Sequence, residues 1–109
     1  MTTPDRGDFI IVNFNPQAGH EQMKRRPALV LSPAPFNEAF GVAFVAPVTT
    51  REARNAFEIA LPNDLPVRGS VLAHQMRALD WRARRAASAG KAPDELVGRV
   101  ADIVREIIT

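Results

Sequence analysis

The chain of 109 residues has no cysteine and no tyrosine, and its only histidines are His20 and His74. Without cysteine there is neither a disulfide framework nor a thiolate metal site. Two histidines that lie far apart in sequence are poor material for a zinc site. We therefore predict no bound metal and no cofactor.

Long apolar runs are also absent. No segment approaches the roughly 20 consecutive apolar residues that cross a bilayer, and the first eight residues, MTTPDRGD, contain no apolar stretch of the kind found in secretion signals. The sequence therefore predicts a cytoplasmic protein that does not associate with membranes. Its length fits one compact domain over residues 1–109.

The excess of positive charge is small, because 14 basic residues face 12 acidic ones and the net charge is +2. Bulk charge therefore does not by itself indicate a nucleic-acid-binding protein. All but two of the basic residues are arginine, whose planar guanidinium suits bidentate contact with phosphate. Arginine-rich genomes produce the same bias, but several of these arginines cluster, at 24–26 (KRR), 51–54 and 82–85 (RARR).

Short segments rich in β-branched and apolar residues recur along the first three quarters of the chain, separated by proline, glycine and asparagine. They predict strands at about 8–14, 27–32, 41–48, 56–61 and 69–79, with a loop or short helix in PAPFNEAF. Short strands with turn signals about every ten residues indicate a small, strongly bent antiparallel sheet or a partly open barrel.

The C-terminal segment changes to a helical period. From Leu96 to Ile108 apolar residues recur at spacings of three and four, which predicts an amphipathic helix over about 93–108. Pro93 is suited to the first helical position, and acidic residues follow it at the positive end of the helix dipole. Gly98 lies inside this helix, so we expect the helix to depend on docking against the sheet.

A polar, mostly basic run, GHEQMKRRP, directly precedes the second predicted strand. Glu21 and Arg26 in this run form the best candidate pair for chemistry, because a carboxylate can accept a proton while a guanidinium stabilises a developing anion. Arg26 precedes a proline, which favours extended backbone and a place at the strand entrance. The alternative is an ordinary surface ion pair, which is common and weak.

Other polar candidates lie at strand ends. Thr49 and Thr50 follow an apolar strand where a hydroxyl can face a cleft, although threonine also simply favours strands. His20 can act as a base near neutral pH or be an ordinary loop histidine. Trp81 can stack on a nucleic-acid base, but a lone tryptophan in a small domain is more often a core residue.

Four segments occur in an order and spacing that resemble a known family: GDFIIVNFNP, GHEQMKRRPALVLSP, FVAPVTT and GSVLAHQMRALDWRARRA. They resemble the MazF/PemK toxin endoribonucleases, in the subgroup that includes ChpB-like toxins. The resemblance implies a mainly β fold with a C-terminal helix, an SH3-like small barrel of antiparallel strands of the CcdB/MazF/PemK type. It also implies a homodimer that cleaves single-stranded RNA at short sequences without metal, and a cognate antitoxin whose disordered tail lies along the RNA-binding groove.

The resemblance also implies roles for individual residues. The family's catalytic positions match Arg26, Thr49 and Glu21. We predict that a wider set of residues contacts RNA: His20, Lys24, Arg25, Thr50, Gln75 and Arg77. Among them, His20 is the alternative proton donor. Some relatives carry Trp where this chain has Ile11 and Asp where it has His74, which bears on the cleavage sequence more than on the reaction.

This set suits RNA because RNA carries its own nucleophile, the 2′-hydroxyl group. An enzyme need only remove its proton, hold it in line with the phosphorus and stabilise the extra negative charge. The expected products are a 2′,3′-cyclic phosphate and a 5′-hydroxyl. Two alternatives remain at this point: a non-catalytic, CcdB-like toxin that binds gyrase, and a decayed toxin that only sequesters antitoxin.

Overall fold

The computed structural model describes residues 2–14 and 25–109. Within them lies a short 3-10 turn, Ala73–Gln75, and the strands and helices are β1 Asp8–Asn13, β2 Arg25–Val30, α1 Ala34–Phe40, β3 Ala43–Thr49, β4 Glu58–Ala60, β5 Ser70–Leu72, β6 Arg77–Leu79, β7 Ala87–Lys91 and α2 Asp94–Ile108. No helix in these two ranges has the length and apolar character needed to cross a membrane.

The strands form one antiparallel sheet in the order β4, β5, β3, β2, β1, β7. On the edge of β3 away from β2, the first half of β3 pairs with β6 and its end pairs with β5. β4 and β7 end the ladder on its two sides, so among the described residues the sheet does not close into a barrel. The prediction of a mainly antiparallel fold with a C-terminal helix is confirmed.

Predicted strands 8–14, 27–32 and 41–48 differ from β1, β2 and β3 by one or two residues at their ends, and the structure departs further from the prediction at three places. The predicted strand 69–79 is two strands, β5 and β6, separated by the 3-10 turn. The predicted strand 56–61 forms ladder pairs only over Glu58–Ala60. β7, with the sequence ASAGK, was not predicted, because small residues without alternation carry no strand signal.

The two faces of the central strands bury separate clusters. Phe9, Leu29 and Ala46 pair across β1, β2 and β3 and face a core closed by the apolar side of α2, through Leu96, Val97 and Val100. The opposite face buries a second cluster that contains Ile10, Ala28, Val30, Val45, Leu79 and Trp81. Strand alternation explains this division, because neighbouring residues point to opposite faces.

Trp81 belongs to this second core. Its side chain is 1% exposed, and its indole Nε1–H donates to the backbone oxygen of Asn37 in α1 at 3.1 Å. Asn37 is itself fully buried and its amide donates to the carbonyl oxygens of Pro4 and Ser32. The tryptophan therefore fastens α1 to the sheet, and its ring is not available for base stacking.

Candidate active site

The second sheet face changes character towards the end of β1 and the beginning of β2. Val12 pairs with Arg26 across β1 and β2, and Ala28 pairs with Pro47 across β2 and β3. Paired residues in an antiparallel sheet lie on the same face. The apolar face that buries Val12 and Ala28 therefore continues outward to the side chain of Arg26, which is exposed.

A pocket of about 340 Å³ lies at this end of the face. Its walls are formed by Phe14, Arg26, Pro47, Val48, Thr49, Leu72, Gln75 and Arg77. Continuing the β2/β3 register by two residues from the Ala28/Pro47 pair sets Arg26 opposite Thr49. The structure thus brings together the guanidinium and the hydroxyl that the sequence placed on separate strands.

Arg77 enters the same pocket from β6. It pairs with Val45, which lies two residues before Pro47 on the same face of β3. Its guanidinium carbon lies 5.5 Å from the centroid of the Phe14 ring, a cation–π arrangement that orients the charge. Gln75 reaches the pocket from the 3-10 turn that separates β5 from β6.

Phe14 was not among the residues selected from the sequence. It follows directly on β1, and its partly buried ring packs against the second core while also forming a wall of the pocket. Aromatic rings in such positions stack on nucleotide bases. The available signal was its alternation with Val12, which places it on the same face as Arg26 once the β1/β2 register is known.

Two predicted RNA-binding residues do not line this pocket. Arg25 follows the opposite alternation to Arg26, and its guanidinium donates to the carbonyl oxygens of Ile11 at 3.2 Å and Arg85 at 2.9 Å. Thr50 lines a separate groove, beside Arg51 and Arg68. Glu21, His20 and Lys24 lie outside the described residues.

The comparisons with known proteins agree on one family. Residues 5–108 match the PemK-like, MazF-like toxins of type II toxin–antitoxin systems. The chain belongs to this family. The toxin is 43% identical over 94 residues to the endoribonuclease toxin MazF of Escherichia coli K12, with 85% of this chain and 84% of that protein covered.

A second relative and a solved structure extend the comparison. The endoribonuclease toxin ChpB of Escherichia coli K12 is 45% identical over 98 residues, covering 85% of this chain and 84% of that protein. A chain of a crystal structure of MazE–MazF from Deinococcus radiodurans superposes with a TM-score of 0.86 and 40% identity, covering 97% of this chain and 95% of that one. The toxin therefore shares both sequence and fold with this family.

Behind Thr49, a close backbone approach determines where the strand end of the toxin lies. Thr49 pairs with Ser70 of β5, whose hydroxyl donates to the carbonyl oxygen of Arg51 at 3.0 Å. Gly69 precedes this pair with φ +115°, and a Cβ atom built there would lie 1.8 Å from the carbonyl oxygen of Thr49. Only glycine fits this position without displacing the threonine.

A buried carboxylate holds the segment that follows Thr49 and Thr50. The side chain of Glu58 is 2% exposed. Its carboxylate accepts hydrogen bonds from both terminal nitrogens of Arg51, at 2.8 and 2.9 Å. It also accepts the backbone N–H of Arg54 at 2.8 Å. These contacts, Arg51 foremost, lower the pKa of Glu58 to about 2. Glu58 is therefore a structural anion that stiffens residues 51–55, and the sequence alone gave no sign of this role.

Potential metal ligands are not grouped together in the part of the toxin that the structure describes. In the ranges 2–14 and 25–109, no three or more side chains of His, Cys, Asp or Glu are grouped so that they could hold a metal ion. The polar groups that line the pocket are guanidinium, hydroxyl and amide groups. Such groups bind phosphate by charge and hydrogen bonding.

Proposed function

We propose that this toxin is a metal-independent, sequence-specific endoribonuclease that cleaves single-stranded RNA. The observation that carries the proposal is the pocket in which Arg26, Arg77 and Thr49 meet beside the Phe14 ring. Two permanent positive charges and a hydroxyl suit a phosphate, and the aromatic ring suits a base next to it. The endoribonuclease activity named for MazF and ChpB agrees with this combination.

The proposed reaction is an internal transfer on the RNA strand. The 2′-oxygen loses its proton and attacks the adjacent phosphorus, the phosphorus–O5′ bond breaks, and O5′ takes up a proton. The products are a 2′,3′-cyclic phosphate and a 5′-hydroxyl. Since the nucleophile belongs to the substrate, the enzyme contributes alignment, proton transfer and stabilisation of the extra negative charge.

We assign the charge stabilisation to Arg26 and a hydrogen bond to a non-bridging phosphate oxygen to Thr49. An arginine side chain keeps its proton at all relevant pH values, so Arg26 does not serve as the proton donor. From the sequence alone, we assign proton removal, or orientation of the base, to Glu21 and proton donation to His20. Neither of these two residues lies in the described part of the chain.

RNA binding extends beyond the scissile phosphate. We assign substrate contacts to Gln75 and Arg77 in the pocket, and to Lys24 from the sequence. Thr50 is assigned to a neighbouring nucleotide, because it follows Thr49 directly in the chain and lines a groove beside Arg51 and Arg68. The contacts of Arg25 with the backbone favour support of the strands over direct contact with RNA.

The first experiment tests cleavage without metal. The purified toxin is incubated with a long single-stranded RNA in excess EDTA, and the fragments are labelled with polynucleotide kinase without prior dephosphorylation. We expect discrete fragments that accept a 5′ phosphate, because a 5′-hydroxyl end needs no prior treatment. Intact RNA at stoichiometric toxin rejects the proposal. Growth arrest on expression, with normal gyrase supercoiling, separates an RNA-cleaving toxin from a decayed or gyrase-binding one.

The second experiment tests Arg26. We expect Arg26→Ala to lower kcat about 10²–10³-fold, the effect of removing one donor to a developing anion. Arg6→Ala is the matched control, because Arg6 is exposed and lies before β1, at the end of that strand away from the pocket. If both variants cleave at the wild-type rate, Arg26 has no part in the reaction.

We further propose that the toxin is a homodimer. An apolar groove of about 300 Å³ between α2 and β3 is lined by Leu31, Phe44, Met76, Val104 and Ile108. Next to it Phe36 packs against Phe40 and Phe44, and the side chain of Phe40 is 69% exposed. A contiguous apolar surface of this kind suits a second copy of the chain. Light scattering at micromolar concentration tests this, and a monomer mass contradicts it.

The remaining proposals concern the partner and the place of action. We propose a cognate antitoxin with an acidic segment that occupies the basic pocket, in line with the MazE–MazF complex of Deinococcus radiodurans. We propose that the toxin acts in the cytoplasm, where its RNA substrate is found. Competition is the test: a bound antitoxin peptide should block RNA binding by the wild type, and simultaneous binding of both would contradict a shared site.

A further inference from the structure

The RARR segment, 82–85, contains a side chain that reaches the pocket from behind. Nη1 of Arg84 donates to the carbonyl oxygen of Phe14 at 2.7 Å and to that of Asn13 at 3.2 Å. The backbone N–H of Asn13 in turn donates to the carbonyl oxygen of Arg84 at 3.0 Å. The turn between β6 and β7 is thus joined to the end of β1, across about seventy residues of sequence.

These contacts lie at the end of β1. Among the described residues the last β1/β2 pair is Asn13 with Arg25, and Phe14 directly follows β1. Backbone carbonyl groups need hydrogen-bond donors, and beyond the end of a strand a side chain can provide one. Arg84 provides one, and it thereby fixes the backbone that carries the Phe14 ring into the pocket.

The turn itself is firmly built. The Asp80 carboxylate accepts the backbone N–H groups of Arg82 and Ala83, at 3.1 and 2.9 Å. Arg25 adds a second connection, because its Nη2 donates to the carbonyl oxygen of Arg85 and to that of Ile11. A turn held from both β1 and β2 offers Arg84 a fixed origin, so its guanidinium can position Phe14 accurately.

The positive charge of Arg84 is energetically unfavourable at this position. Partial burial, and then the neighbouring positive charge of Arg77, lower the pKa of Arg84. Its Nη1 donates to two neutral backbone oxygens. Lysine or glutamine could also donate a hydrogen bond to a carbonyl oxygen, so that bond alone does not give Arg84 a particular function. What the bond adds here is the orientation of the Phe14 ring beneath Arg77.

We propose that Arg84 is a positioning residue of the pocket: its hydrogen bonds to the carbonyl oxygens of Asn13 and Phe14 fix the Phe14 ring, and through it the guanidinium of Arg77, at the wall that faces RNA. This role rests on the proposed endoribonuclease function. It assigns Arg84 no contact with the substrate.

The test combines kinetics with a signal that does not depend on cleavage. We expect Arg84→Met to raise KM for a defined single-stranded RNA about tenfold, because RNA binding must then also order the Phe14 ring, at a cost up to that of the one charge-assisted hydrogen bond that ordered it before. Arg84→Lys should recover most of the loss, because its ammonium group retains the charge and can donate to a carbonyl oxygen. Arg82→Met is the matched control, since it removes the same charge from an exposed position of the same turn.

A double-mutant cycle with Phe14→Ala decides whether Arg84 acts through the ring. If it does, adding Arg84→Met to Phe14→Ala increases KM by less than twofold. A full tenfold increase in the Phe14→Ala background overturns the proposal and leaves Arg84 as a source of charge only.

The second readout is ¹⁹F NMR of toxin labelled with 4-fluorophenylalanine, recorded without RNA. The resonance missing in Phe14→Leu is assigned to Phe14, and it should shift or broaden in Arg84→Met but not in Arg82→Met. An unchanged resonance overturns the proposal even if the toxin cleaves RNA. A shifted resonance in a toxin that does not cleave RNA rejects the proposed function while leaving the positioning contact intact. Urea unfolding identifies folded variants, and if Arg84→Met does not fold, Arg84→Ala, which also lacks a donor for the two carbonyl oxygens, replaces it in every measurement.

Discussion

Replacing Gly69 with alanine should misplace Thr49 and thereby slow RNA cleavage. The added Cβ would lie 1.8 Å from the carbonyl oxygen of Thr49 and 2.9 Å from Cα of Thr50, whereas ordinary van der Waals contact begins at 3.4 Å. The missing separation is therefore about 1.6 Å. The backbone of Gly69 cannot easily move away, because the carbonyl oxygen of Gly69 accepts a hydrogen bond from the N–H of Leu61 at 2.8 Å.

The structure allows two magnitudes to be worked out. A non-glycine residue at φ +115° costs about 1–3 kcal/mol of unfolding free energy from backbone strain alone. Relief of the collision requires the backbone of Thr49 to move by most of the missing 1.6 Å, and a misplacement of about 1 Å can already cost about 10²-fold in rate. We therefore expect Gly69→Ala to lose stability moderately and kcat/KM about 10²-fold.

Gly41→Ala is the matched control. Gly41 ends α1 with φ +69°, and a Cβ there would meet no atom within 4 Å. It should lose about 1 kcal/mol from the left-handed conformation but keep the wild-type rate. Urea unfolding and RNA cleavage well below the unfolding temperature are measured on both variants. Gly69→Ala with a rate within threefold of the wild type would refute the link between this close approach and the function of Thr49.

Three further predictions use the same assays. The pKa of Glu58 is lowered from 4.5 to about 2, so its stabilising effect is complete above about pH 4.5 and is lost as the pH falls through about 2. The difference between the urea midpoints of wild type and Glu58→Gln should therefore be constant from pH 5 to 8 and shrink in acid. A difference that grows in acid would contradict this. Gly98→Ala should raise Tm by about 4–8 °C, since helix propensity improves by about 1 kcal/mol and the added Cβ meets nothing within 4 Å. A lower Tm would contradict this reasoning. Arg77→Ala should weaken RNA binding and reduce the slope of log K against log salt by about one, while an unchanged slope would mean that Arg77 makes no phosphate contact.

The elements that alternate or repeat regularly were predictable from the sequence. Apolar residues at helical spacing predicted 93–108, and α2 is Asp94–Ile108. β7 and the break between β5 and β6 were missed, because both depend on the partner strand and not on their own residues. β7 in particular is held by β1, through a register that shifts between Asp8 and Ile10. Tertiary pairing can impose extended structure on residues with low strand propensity.

The site divides in the same way. Arg26 and Thr49 were selected because a proline and a strand end marked their positions, and both line the pocket. Phe14, Glu58 and Arg84 were missed, because each owes its role to a distant partner. In the sequence, Glu58 is an ordinary charged residue of an alternating strand, and its role depends on the ion pair with Arg51. Arg84 is one arginine of a basic run, and its role depends on its hydrogen bond to the end of β1.

The adjacent arginines 25 and 26 show that strand register, and not charge, decides which side chain lines the pocket. Arg26 shares a face with Val12 and Ala28, so it reaches the pocket. Arg25 shares a face with Asn13, whose side-chain oxygen accepts its Nη1 at 3.3 Å, and it supports the strands. A slip of one residue between β1 and β2 would exchange the two side chains and also turn the core of β2 outward. The burial of Ala28 and Val30 opposes that slip, so the same apolar residues that stabilise the sheet also determine which arginine lines the pocket.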